Sequence, residues 1–296
     1  MLKDTKNAKL GIIAGGGALP GLVADAALRD NKQVHIVGIY GEADELIANY
    51  NHDWIKWGEF GHLFRILKKQ ACREIVIIGS VKRPDISQVK LDLGAIKNLP
   101  FILSLTFGGD DSILSGIVKF IEKNGFRVRG AHEIAPELLA GEGLLGNVQP
   151  SSQDRADIAA GVKVVRTLGE LDIGQAAVIS RGYVLAVEAA EGTDEMLRRC
   201  VDLRQWGAKK RKERTGVLVK CPKPAQEARV DMPTVGSKTV EMAARAGLSG
   251  IALASGGVLL ADRERMVQLA DAENMFLVGV TGLNAVQSTG QASKFE

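Results

Sequence analysis

The sequence predicts an α/β protein of two domains, an N-terminal Rossmann-like domain with a parallel sheet and a C-terminal mixed α/β domain. Three observations predict it. In the first half, short apolar runs ending in small residues alternate with stretches of helical periodicity, as crossover helices between parallel strands require. Residues 137–153, ELLAGEGLLGNVQPSSQ, then break the alternation with three glycines, a proline and two serines. This break places the domains at 1–142 and 143–296. In the second half a hairpin signature interrupts the alternation, so that sheet is mixed. At 296 residues and 46% hydrophobic content, the chain is long enough for two cores.

The elements follow in order. LGIIAGG (10–16) reads as a buried strand, and Pro20 stands where the next helix can begin. VHIVGIY (34–40) is a second strand. GHLFRILKKQ (61–70) places Leu63, Ile66 and Leu67 on one helical face, and EIVIIGS (74–80) is a third strand. Residues 109–125 form a helix with acids in front and a glycine stop behind, followed by a strand over 126–131. Beyond the break, 154–172 is a helix ending near Gly169. AAVISRGYVLAVEA (176–189) is a hairpin turning at Arg181-Gly182, and 193–206 is a helix with Thr193 as its cap. GVLVKC (216–221) is a strand and 237–247 a helix closed by Gly247. The segment GIALASGGVLLAD, the helix DRERMVQLADAE and the segment MFLVGV complete the domain.

Composition narrows the function. A net charge of +3 suits an anionic ligand without demanding nucleic acid, and 5% aromatics leave few platforms for stacked bases. Cys72, Cys200 and Cys221 form no C-x-x-C pair, which argues against a zinc ribbon or a disulfide framework and for a reducing cytoplasm. No run of eighteen apolar residues and no signal-peptide h-region is present, so any membrane contact is expected to be peripheral. A homodimer is left open.

Several motifs admit two readings. AGGGALPG (14–21), with Gly15, Gly16, Gly17, Ala18 and Leu19, is either a phosphate contact at a helix N-terminus or a tight strand–helix turn. Its spacing is neither G-x-G-x-x-G nor a P-loop, which disfavours a nicotinamide-dependent oxidoreductase. GSVKRPD (79–85) puts Ser80, Lys82 and Arg83 at the C-terminal edge of a strand, a place where α/β sheets bind ligands, or in an ordinary loop. Gly109, Asp110 and Asp111 start a helix, and capping competes with a sugar or metal contact. His132 and Glu133 follow a strand on opposite faces and so share no metal. Asp172 and Gln175 precede a hairpin strand that holds Glu188, a carboxylate that needs a partner or a metal if buried. Asp194 reads as a capping residue. KKRKER (209–214) is a solvated loop or a patch for anionic headgroups. In KCPKPAQEARVDMPTVG (220–236) the prolines disfavour a regular helix or strand, and Lys220, Lys223 and Asp231 share a stiff loop.

Taken together and in order, IAGGGALPG, GEFG, GSVKRPD, GDD, GAHEI, LGELDIGQA, VLAVEAAEGTDEMLRR, LVKCPKPAQEARVDMPTVG and GLSGIALASGGVLLADRE are similar to the UDP-2,3-diacylglucosamine pyrophosphatases of the lipid A pathway. The type is the α-proteobacterial one, not the calcineurin-like metallophosphoesterase. The resemblance runs from about Leu10 to Val280, with Ala254-Ser255 where many relatives carry Glu-Ala. It implies hydrolysis of UDP-2,3-diacylglucosamine to 2,3-diacylglucosamine 1-phosphate (lipid X) and UMP. It also implies Mg²⁺, two domains joined by a hinge, and a cytoplasmic protein peripheral to the inner-membrane surface. Asp231 matches the family's essential aspartate. Lys220 and Lys223 would offset charge on the leaving UMP, and Asp172 and Glu188 would join Asp231 as metal ligands. Gly15 to Leu19, Ser80, Arg83, Gly109, Asp110, Asp111, Gln175 and Thr193 would contact substrate. A non-catalytic binder of a nucleotide-sugar or acyl lipid is the alternative reading.

Overall fold

The structure, a computed structural model, describes residues 9–82, 92, 110–203, 214–224 and 226–282. The chain divides into two compact units. Unit 1 runs to Pro136 and includes Glu227–Asp231; unit 2 holds Glu137–Gln226 and the chain from Met232.

Unit 1 is an α/β layer. Its strands are β1 (Lys9–Ala14), β2 (Val34–Ile39), β3 (His52–Ile55), β4 (Cys72–Ile78) and β5 (Arg127–Val128). They lie in the order β3-β2-β1-β4-β5, and every pairing is parallel. β1 and β2 are buried almost throughout, as apolar runs covered on both faces must be. The helices are α1 (Leu19–Arg29), α2 (Phe60–Lys69), α3 (Asp110–Lys123) and the single turn α4 (Ala131–Ile134). One apolar cluster joins Leu63, Phe64, Ile66 and Leu67 of α2 to Val118, Phe120 and Ile121 of α3, with Phe64 stacked on Phe126 at 5.7 Å.

Two expectations change here. β3 escapes the periodicity because, as an edge strand, only Ile55 of HDWI is buried. The strand expected over 126–131 is paired only at Arg127–Val128, and His132 and Glu133 lie on a helical turn rather than beside a strand. That turn forms because the Glu133 carboxylate accepts the Gly130 N–H at 2.8 Å and an Arg129 N–H at 2.6 Å.

Unit 2 has a mixed sheet in the order β6-β13-β11-β9-β7-β8. Its strands are β6 (Gly143–Leu144), β7 (Ala176–Ser180), β8 (Tyr183–Val187), β9 (Val217–Lys220), β11 (Gly250–Ala254) and β13 (Phe276–Val280). β9, β11 and β13 run parallel; β7 is antiparallel to both β8 and β9. A separate parallel ribbon pairs β10 (Thr234–Val235) with β12 (Leu259–Leu260). The prolines of residues 220–236 argued against regular structure, yet this ribbon forms beside one of them. The Pro233 carbonyl needs no N–H of its own to accept from Leu259 at 2.8 Å. The helices are α5 (Ser152–Glu170), α6 (Gly192–Leu203), α7 (Ser237–Arg245) and α8 (Arg263–Ala272).

Helix α5 begins two residues before its expected start. The serines that read as linker form its cap: Ser151 Oγ accepts the Asp154 N–H, and the Asp154 carboxylate accepts the Ser151 N–H at 2.9 Å. The hairpin turns at Arg181 (φ 53°) and Gly182 (φ 80°), the pair of left-handed residues that a two-residue turn requires. Asp157 of α5, 1% exposed, accepts both of their N–H groups at 2.8 Å and the Gln153 amide at 3.1 Å. A helix carboxylate thereby holds the tip of β7–β8.

Replacing Asp157 by alanine should cost about 1–3 kcal/mol, since two turn N–H groups lose their acceptor. Asp157→Asn, which keeps one carbonyl oxygen there, should cost less. The order of the two urea midpoints checks this, and equal midpoints would show that water replaces the carboxylate.

Candidate active site

All four residues of β9 are buried, and the strand ends on a lysine. Lys220 is 5% exposed, so its ammonium has to be met by oxygen. Its Nζ donates to Thr193 Oγ1 at 2.8 Å and to the Thr234 carbonyl at 3.1 Å. An ammonium can only donate, so the Thr193 hydroxyl accepts from it and directs its single proton to Glu188 Oε1, at 2.7 Å. Glu188, 6% exposed, also accepts the Gln175 N–H at 3.3 Å. Gln175 in turn accepts the Cys221 N–H on its carbonyl at 3.0 Å and the Gln226 amide on Oε1 at 3.3 Å. Four expected site residues, Gln175, Glu188, Thr193 and Lys220, therefore form one connected network. The buried Glu188 finds its partner in a hydroxyl that carries a lysine.

Local backbone makes this arrangement possible. A Cβ on Gly174 would lie 2.1 Å from the Glu188 carbonyl oxygen, so the strand entry passes Glu188 only as glycine. Helix α6 starts at Gly192 (φ 81°), one residue earlier than expected. Thr193 thus lies inside the first turn, and its hydroxyl serves Glu188 and Lys220. Asp194, read from the sequence as a capping residue, reaches α7 instead, at 2.8 Å from Lys238 Nζ and 3.4 Å from Thr239 Oγ1. Its carboxylate raises the pKa of the Lys238 ammonium. A cavity of about 330 Å³ opens at this helix start, lined by Glu191, Gly192, Thr193, Asp194, Lys220, Thr234 and Thr239. Thr234 and Thr239 were missed because one contributes a backbone carbonyl and the other is three elements away.

Asp172 and Lys223 meet as an ion pair of 2.6 Å. Asp172 is in the left-handed region (φ 54°) in the turn after α5, and the Lys223 side chain is 11% exposed. Local sequence does not join them, since fifty-one residues separate the two.

In unit 1 the three glycines after β1 already donate their N–H groups. Gly15 donates to Ile78 O at 2.9 Å, and Gly16 to Ser80 O at 2.8 Å, with Ser80 N–H returning to Gly16 O at 2.9 Å. Gly17 donates to Asp44 Oδ2 at 2.5 Å. A Cβ on Gly15 would lie 2.4 Å from the Ser80 carbonyl oxygen, so the close approach of the β1 and β4 loops demands glycine there. Ala18 is exposed and Leu19 buried at the start of α1. The carboxylate at Gly17 was missed because it comes four residues after Tyr40, past the end of β2. Arg83, Gly109 and residues 209–213 of the basic run lie outside the described residues. Asp110 and Asp111 open α3, and their side chains lie outside the description too.

Asp231 lies in the segment counted with unit 1, whereas its neighbours Lys220, Lys223 and Thr234 are counted with unit 2. The segment is a closed turn: the Glu227 carbonyl accepts both the Val230 N–H at 3.0 Å and the Asp231 N–H at 2.9 Å. Arg229 grips the Glu227 carboxylate with two nitrogens, at 2.9 and 2.8 Å, and Glu122 of α3 with a third, at 2.9 Å. This fork holds the Glu227 carboxyl below the usual carboxylate range, against the opposing effect of burial. Val230 packs against the apolar cluster of unit 1. Among the described residues no three His, Cys, Asp or Glu side chains converge as a metal cluster, and no helix is long and apolar enough to cross a membrane.

A Rossmann-like unit followed by a mixed α/β unit with a buried lysine–hydroxyl–carboxylate network defines a two-domain α/β protein with a cation-bearing polar site. The LpxI N-terminal domain model matches residues 9–138 and the LpxI C-terminal domain model matches residues 141–278. A relative from Caulobacter vibrioides, named UDP-2,3-diacylglucosamine pyrophosphatase LpxI, is 42% identical over 272 residues, covering 92% of this chain and 97% of the relative. The chain belongs to the LpxI family.

Thr193→Val keeps the shape of the residue and removes the bridging hydroxyl. It should lower stability by about 1–3 kcal/mol, because Glu188 and Lys220 each lose a buried partner. Thr193→Ser should restore most of it, and chemical denaturation of the two variants checks the pair.

Proposed function

We propose that this chain hydrolyses the diphosphate of UDP-2,3-diacylglucosamine to 2,3-diacylglucosamine 1-phosphate and UMP, as a step of lipid A biosynthesis. The observation that carries the reading is membership of the LpxI family along nearly the whole chain, with a relative of that named activity at 42% identity. Water adds to the phosphorus nearer the sugar and gives up a proton. The bond from that phosphorus to the bridging oxygen breaks, and the oxygen leaves with UMP.

The residues suit this chemistry. Charge develops on the bridging oxygen as the bond breaks, and a fixed ammonium stabilises it without reorganising. Lys220 is the fixed cation, held by Thr193 and the Thr234 carbonyl. Lys223 is the second, oriented by Asp172. Thr193 and Gln175 serve the reaction by positioning Lys220 and Glu188, and Asp231 is the essential carboxylate.

Mg²⁺ is part of the proposal. Asp172 and Glu188 do not suit it, since the first is paired with an ammonium and the second accepts two hydrogen bonds in a 6% exposed position. Mg²⁺ takes few protein carboxylates and keeps phosphate oxygens and water as its other ligands, and Asp231, which matches the family's essential aspartate, is the proposed protein ligand. When bound, the ion withdraws charge from the diphosphate. Ser80, Ala18 and Leu19 are proposed substrate contacts; the engaged N–H groups of Gly15 to Gly17 argue against a phosphate cradle made from them. Association with the cytoplasmic face of the inner membrane belongs to the same reading, because the substrate is a lipid.

The test is UMP release by the purified protein in detergent-dispersed substrate. Turnover should need Mg²⁺ and stop with chelator. In ¹⁸O-water the label should enter the sugar phosphate and not UMP. Asp231→Ala should lose at least a thousandfold in kcat while still folding. Substrate binding without turnover in Mg²⁺ would overturn the reading.

A further inference from the structure

We infer that Arg229 is a positioning residue for Asp231, acting through the carboxylates of Glu227 and Glu122. The inference rests on the reading of Asp231 given above. Asp231 sits in a five-residue segment counted with unit 1; one tie closes the segment on itself and two fix it to the rest of that unit. The first is the turn itself, closed by the Asp231 N–H on the Glu227 carbonyl at 2.9 Å. The second is Val230, packed on the cluster that includes Phe120 and Ile121 of α3. The third is the guanidinium of Arg229.

That guanidinium does two things at once. Its side-on pair with Glu227 locks the residue whose carbonyl holds Asp231. Its remaining nitrogen reaches Glu122, 107 residues away on α3, and thereby fixes the turn to a helix rather than only to itself. A planar fork with three occupied directions leaves the turn little rotational freedom, which a single-point ammonium cannot match. Reaction rate is sensitive to displacements of a reacting group by about 1 Å, so a tie two residues from Asp231 acts on turnover without touching substrate.

A clamp of this kind has a signature that a general contribution to stability lacks. Partly exposed ion pairs contribute little to folding, about 0–1 kcal/mol. Arg229→Ala should therefore lower kcat at least tenfold while KM stays within about threefold and the thermal midpoint within a few degrees. Arg229→Lys keeps the charge but not the fork, and should fall between wild type and Arg229→Ala. Glu122→Gln should shift kcat in the same direction by less. Wild-type UMP release and its loss in Asp231→Ala are measured first: their failure rejects the reading of the active site, not the clamp. With both in place, a wild-type kcat in Arg229→Ala overturns the clamp. So does a kcat loss matched by the fraction unfolded, or one in which Arg229→Lys is no better than Arg229→Ala.

Discussion

An ammonium cannot be buried at the end of a core strand without oxygen around it, and much of unit 2 answers that constraint. Lys220 closes β9, a strand buried at every residue. The hydroxyl of Thr193, the carbonyl of Thr234 and, one step removed, the carboxylate of Glu188 supply what water would otherwise provide. Each comes from a different element: the first turn of α6, the ribbon strand β10 and the end of the hairpin. Gly174 exists as glycine so that the chain can pass Glu188 closely enough to bond it. The network thus fixes how the hairpin, helix and ribbon are arranged around one charge.

Most of the fold was legible in the sequence. The strands of both central layers, the hairpin turn at Arg181-Gly182 and the long helices follow from periodicity and punctuation. What periodicity could not show is whatever lacks two covered faces or enough length. Three of the four residues of β3 are only half-buried, and β6, β10 and β12 are two residues each. Ser151 looked like linker because a cap is recognised only against the helix that it starts.

The site was legible in a different way. Gln175, Glu188, Thr193 and Lys220 could each be singled out, Glu188 because a carboxylate in an apolar strand demands a partner. Their connection could not be read, because it runs through a hydroxyl in one direction and a backbone N–H in another. The glycine run shows the opposite case. Its motif looked like a place for phosphate, and Gly15 turns out to be required by the close loop at Ser80 and Gly17 by its left-handed backbone, with its N–H on Asp44.

The assignment of Glu227–Asp231 has a consequence for how separable the halves are. The polypeptide passes from unit 1 to unit 2 after Pro136, returns at Glu227, and leaves again after Asp231. A single cut at the first crossing yields a C-terminal fragment that keeps Asp231 in its sequence but loses Glu122 and the apolar cluster that seats Val230. Modularity in this protein is therefore a property of the folded units and not of the gene order. Recombining halves from two relatives would exchange the acid while leaving behind the surface that seats it.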